Sequence, residues 1–163
     1  MPIRSGQDAA FPRRLAAPPG AGGPFECVDG LYALHDRPHS APTEGAELVL
    51  AGGRIAVFRG PLATAPPRSC AVYATPGGTL AVPTGRVLVR LQAGTPAEEK
   101  RADLESAGYR IERIAGYAPH AAWVRSADGT IASALNGLAR LSALAGVEHV
   151  EPEMLMQKHS RKG

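Results

Sequence analysis

Two cysteines with a polar cluster between them are the first place in this chain to look for chemistry. Cys27 and Cys70 are far apart, and His35, Asp36 and His39 lie between them. Thiol, imidazole and carboxylate are the side chains that bind zinc or build a cysteine nucleophile. Their spacing argues against both uses. Structural zinc sites pair their ligands at close intervals, and no C-x-x-C is present. The bland reading, a polar loop flanked by two free or buried thiols, is therefore preferred, and no metal is expected. A Ser/His/Asp triad needs its nucleophile on a constrained turn, and no G-x-S-x-G occurs. Gly20, Gly22 and Gly23 do not lie between a strand and a helix, so they form no phosphate loop. The paired carboxylates Glu98-Glu99 and Glu151/Glu153 suit helix capping and solvent contact. The expectation is a protein with no catalytic residues, no cofactor and no enzymatic activity.

The charge balance narrows the partners. The formal net charge is +3, and the tail from Gln157 to Gly163 alone supplies Lys158, Arg161 and Lys162. Without that basic tail the body is neutral, which leaves no electrostatic footprint for nucleic acid. No apolar run reaches the length of a membrane span, so no membrane partner is expected. The first residues show no apolar leader core. That points to the cytoplasm, or to a secreted or periplasmic site if the chain is a fragment of a precursor.

Composition divides the chain near Pro83. Twelve of the 15 prolines and 11 of the 19 glycines lie at or before that residue. Residues 1–24 lack hydrophobic periodicity and are expected to be disordered. Residues 25–83 hold short strand-like runs: LYAL, ELVL, RIAVF, CAVYA and TLAV. Gly52-Gly53 and Pro76-Gly77-Gly78 sit between them as hairpin turns. This reads as a small β-hairpin-rich appendage, with too few large apolar residues to be stable alone.

Residues 84–156 have a different pattern, strand-helix-strand given twice. In RVLVRL, Val87, Val89 and Leu91 alternate with Arg86, Leu88 and Arg90. Thr95-Pro96-Ala97-Glu98 reads as a capping box opening a helix that ends at Gly108. YRIERI and HAAWVR follow as strands. A second helix has the apolar stripe Ile131, Leu135, Leu138 and Leu141 and ends at Gly146. VEHVE closes the unit at Pro152. The fold expected is α+β: a ferredoxin-like βαββαβ unit with a four-stranded antiparallel sheet and two helices on one face, preceded by the small all-β appendage. The face without helices should carry Leu88 and Trp123, with His149 or Ile114.

The order of these elements, the opening RVLVRL with its G-T-P-A-E-E helix start, the A-W-V strand and the closing G-V-E-H-V-E-P (Gly146 to Pro152) resemble the propeptide domains of subtilisin-type serine proteases. Those propeptides and the related freestanding inhibitors close on a similar V-x-x-V-E-P strand. The resemblance covers about residues 85–156. It implies a subtilisin-like serine protease as partner, to be inhibited or helped to fold as by an intramolecular chaperone. It implies protease contact through a sheet face at Leu88, Trp123 and His149. It also implies that Glu153, Met154, Leu155 and Met156 enter the substrate cleft by strand addition. The chain departs from the family in its start, in the QKHSRKG tail and in lacking the catalytic domain that follows such a propeptide. Two alternatives share the same topology. One is a protein-interaction or small-ligand regulatory scaffold, since this fold hosts many functions. The other, RRM-like RNA binding, needs stacking aromatics on the central strands, and only Trp123 is there.

Overall fold

The computed structural model describes residues 11–16, 23–38 and 40–156. Among the described residues nine strands hydrogen-bond into one sheet: β1 (Arg14–Leu15), β2 (Phe25–Leu34), β3 (Ala46–Leu50), β4 (Ile55–Arg59), β5 (Ser69–Ala74), β6 (Leu80–Leu91), β7 (Tyr109–Ile114), β8 (Ala121–Ser126) and β9 (Val147–Met156). Their order is β3-β4-β2-β5-β6-β8-β7, with β1 added to β2 and β9 added to β6. The three α-helices among the described residues are short: α1 (Arg101–Ser106), α2 (Ile131–Asn136) and α3 (Leu138–Ser142).

This corrects the expected fold class. The chain is mostly β, with a nine-stranded sheet in place of a four-stranded ferredoxin-like α+β unit and its separate appendage. Pro83-Thr84-Gly85 reads as a boundary in the sequence, yet β6 runs through it without a break. Pro83 is fully buried within the strand. Proline is tolerated in a strand wherever the ladder does not call on its missing N–H, and composition does not reveal that.

By contacts, the described residues fall into two units, Thr84–Glu153 in one and the residues before Thr84 and after Glu153 in the other. In the latter, the expected strand runs fall on β2 to β5 and the start of β6. β5 is buried along almost its whole length, with Val72 and Tyr73 inaccessible. The Tyr73 hydroxyl donates to the Pro12 carbonyl at 2.6 Å. Within the segment expected to be disordered, Arg14 and Leu15 pair with Glu26 and Phe25. Residues 1–10 and 17–22, also expected to be disordered, the basic tail 157–163 and His39 lie outside the described residues.

In Thr84–Glu153, Val87, Val89 and Leu91 of β6 meet Ala122 and Val124 of β8, Leu104 of α1 and Leu141 of α3 in one apolar core. The expected capping box does not form. Pro96 occupies the N-cap position, ahead of a 3-10 turn over Ala97–Lys100, and no side chain caps it. That shift by one residue leaves Glu98 free to grip Arg101 with two hydrogen bonds, at 2.6 and 2.9 Å. The ending at Gly108 stands as expected, with φ +92°.

The second helix begins on a denser network. Thr130 caps it, its hydroxyl accepting from Ser133 N at 3.2 Å. Asp128 accepts from Thr130 N, Thr130 Oγ1 and Ser126 Oγ at 2.9 Å each, and from Ser133 Oγ at 2.5 Å. These bonds favour the carboxylate, the one from Ser133 foremost, and hold Asp128 well below its ordinary range. Its folded-state pKa is depressed, so the stability it contributes is full above the ordinary value of 3.8 and fades as pH falls below it. Asp128→Asn should therefore lower the urea midpoint at pH 7 and lose that deficit as the wild type is acidified toward about pH 2. A deficit that persists unchanged at low pH would remove the charge from this account.

One helix was expected from Ile131 to Ala145, and two are found. The break falls at Gly137, between α2 and α3. The Tyr109 hydroxyl donates to the Ala134 carbonyl at 2.5 Å, taking the acceptor that the next turn would have used. A side chain inserted in the ladder is a recognised cause of a helix kink.

Candidate functional site

A side-chain cluster on the face of β6, β7, β8 and β9 away from α1 to α3 is the best candidate site within Thr84–Glu153. Its position follows from strand parity. Val87 and Val89 point to the helices, so Arg86 and Leu88 point the other way. Leu88 lies opposite Trp123 in the β6–β8 register. On β7 the register shifts between Ile111 and Arg113. The bulge brings Ile111 and Ile114 both onto the helix-side core, which corrects the placement of Ile114 on the open face.

The chain's single tryptophan is central to this face. The Arg86 guanidinium lies over the Trp123 ring at 4.6 Å from the centroid. Such a stack contributes on the order of 1 kcal/mol and holds both groups in place. Arg86 Nε is buried and 3.3 Å from Glu112 Oε1, an ionic contact without hydrogen-bond alignment. Arg86 Nη1 is 3.6 Å from Glu153 Oε2. Glu112 is also paired with Arg125. Glu153 Oε1 accepts from Thr84 Oγ1 at 2.8 Å, and the same hydroxyl accepts from Arg86 N at 3.2 Å.

The expected site residues are brought together only in part. Trp123 is half-buried on this face, and Leu88, at 9% exposure, is packed beneath it with Ala115, Ala118 and Ala121. Leu88 therefore supports the tryptophan and offers little surface of its own. His149 is half-buried on β9, with Nε2 3.3 Å from Glu151 Oε2. Glu153, Met154, Leu155 and Met156 form the end of β9, which pairs with β6 and, among the described residues, with no other strand. Met154 and Leu155 are half-buried and Met156 is exposed. Arg86, Glu112 and Thr84 were missed from sequence. The only signal was that Arg86 alternates onto the same face as Leu88.

The cysteine region also has a pairing that the spacing hid. His35 Nε2 lies 3.0 Å from Cys70 Sγ. Burial pushes the Cys70 thiol pKa far up and the His35 pKa down, so the pair is held as thiol and neutral imidazole and not as thiolate and imidazolium. A catalytic cysteine needs the opposite shift. Cys27 is half-buried, and Asp36 lies 3.9 Å from Arg68. Among the described residues no group of three or more His, Cys, Asp or Glu is placed to hold a metal. Among them, too, no helix is long and apolar enough to cross a membrane.

No protein-family model matches the chain, and no curated protein or solved structure matches it either.

Proposed function

We propose that this chain is a non-catalytic module that binds a subtilisin-like serine protease, inhibiting it or helping it to fold. The observation that carries this reading is the end of β9. It is already extended, it has apolar side chains at Met154, Leu155 and Met156, and its edge away from β6 is open among the described residues. An open strand edge is what a protease cleft recognises when a peptide adds to it as a strand, backbone bonds giving affinity and alternate side chains giving selectivity. The segment need not leave β6 to offer that edge. Trp123, stacked under Arg86 within Thr84–Glu153, is an aromatic anchor of the kind that a protein interface uses as an affinity centre. The likeness of GVEHVEP and its flanking elements to subtilisin-type propeptides names the protease class.

Complex formation tests the reading without interference from digestion. The chain is mixed with a subtilisin-type protease whose catalytic serine is chemically blocked, and the mixture is run on a gel-filtration column. A co-eluting one-to-one complex is expected. Trp123→Ala should weaken the association by tenfold or more, in the range of an interface aromatic anchor. Separate elution of the two wild-type proteins at micromolar concentration would end the reading for that enzyme.

A further inference from the structure

Within Thr84–Glu153, β7 ends the strand order, and among the described residues it pairs with β8 alone. One backbone edge of β7 is therefore open, and the ladder fixes which groups it offers. Ala127 N donates to Gly108 O at 2.8 Å, so Gly108 turns its carbonyl toward β8. Alternation along the antiparallel pair then turns the N–H and C=O of Arg110 toward β8, and those of Tyr109 and Ile111 outward. The side chains beside that edge are mostly basic. Arg110, Glu112 and Arg113 are all exposed. Arg110 lies directly opposite Arg125 in the register, a repulsive pair, and Arg113 lies opposite Trp123. Glu112 is already engaged by Arg86 and Arg125. Neither Arg110 nor Arg113 has a carboxylate partner among the described residues.

We propose that the β7 edge takes an acidic, extended segment of another protein as an added strand. Tyr109 and Ile111 supply the backbone bonds, and Arg110 and Arg113 receive carboxylates from the incoming strand. A carboxylate at Arg110 also relieves its repulsion from Arg125. A second copy of this chain is the poorer occupant, because the one acidic residue of β7 is Glu112, which two arginines already hold. Charges on an edge strand discourage indiscriminate pairing, so the same arginines select against neutral and basic strands. The proposal does not depend on protease binding.

The test is fluorescence anisotropy of a labelled octapeptide that alternates valine and glutamate, titrated with the intact chain. Saturable binding is expected, and it should weaken as salt rises, because exposed charges are screened. Arg110→Glu combined with Arg113→Glu should raise the dissociation constant by at least about tenfold, since two attractions become repulsions. The neutral pair Arg110→Gln and Arg113→Gln should fall between that variant and the wild type. Arg90→Glu, at an exposed arginine on β6 that β8 separates from this edge, should change nothing. The same peptide N-methylated at every residue keeps its charges but can donate from neither edge, and it should not bind. Equal binding of the methylated peptide would mean charge attraction without strand addition, and would overturn the proposal. So would an affinity that both double variants leave unchanged, or no binding of the unmethylated peptide. Tighter, arginine-dependent binding of a single-stranded oligothymidylate would assign the patch to nucleic acid and overturn it too. A dimer of the intact chain that the charge reversal abolishes would assign the edge to a second copy, with the same consequence.

Discussion

Gly137→Ala is expected to destabilise the protein by about 3 kcal/mol, the upper range for forcing extra volume into a packed interior. A β-carbon on Gly137 would fall inside contact distance of the Tyr109 hydroxyl, and 2.9 Å from both Tyr109 Cε1 and Arg140 Nη2. Arginine can swing aside, but the tyrosine cannot. Its ring is 1% exposed and its hydroxyl is bound to the Ala134 carbonyl. The same bond predicts coupling between the two positions. Tyr109→Phe alone should cost about 1–2 kcal/mol, because a buried acceptor loses its donor. In the double variant the hydroxyl that meets the new methyl is gone, so its cost should fall clearly below the sum of the two single costs. Urea unfolding of all four proteins measures this cycle. A Gly137→Ala variant as stable as the wild type, or strictly additive costs, would show that helix propensity and not the tyrosine sets the break.

The second large effect is expected from the other end of the unit. A chain ending after Pro152 should lose inhibition of a subtilisin-type protease by at least about a hundredfold. It lacks the strand segment and Glu153, while Arg86 keeps its contacts with Trp123 and Glu112. A chain ending after Glu153 also lacks the segment and should retain only the binding contributed by Trp123, so it should inhibit no better than the shorter chain. Both truncations should still unfold cooperatively, because the residues of the apolar core around Val87, Leu104, Val124 and Leu141 remain. Inhibition by the Pro152 truncation at the level of the intact chain would remove the cleft segment from the account.

Local signals were legible in the sequence where local physics decides the structure. The alternation in RVLVRL placed Val87, Val89 and Leu91 on the core side, and Gly108 ended its helix. Gly52-Gly53 and Pro76-Gly77-Gly78 turned the chain between strands. What the sequence did not reveal depends on distant partners. The helix break at Gly137 is caused by a tyrosine on β7, and nothing in the stripe Ile131, Leu135, Leu138 and Leu141 announces it. The bulge that turns Ile114 to the core exists only in the pairing with β8. Thr95 and Glu98 have the spacing of a capping box, but Pro96 starts the turn one residue later than that spacing assumes. The continuation of β6 through Pro83 joins into one nine-stranded sheet what composition divided, although the contacts still separate two units at Thr84. The candidate site was half legible. Trp123 was found because a lone aromatic on an alternating strand is conspicuous. Arg86, Glu112 and Thr84 were not, because a stacked guanidinium and a shared hydroxyl are visible only once four strands lie side by side.

The measurement that bears most directly on the central claim is a titration of a subtilisin-type protease with the intact chain, following hydrolysis of a small chromogenic peptide. The expected result is prompt loss of activity that reaches completion near one inhibitor per enzyme. Undiminished hydrolysis, with the chain itself degraded as an ordinary substrate, would contradict it.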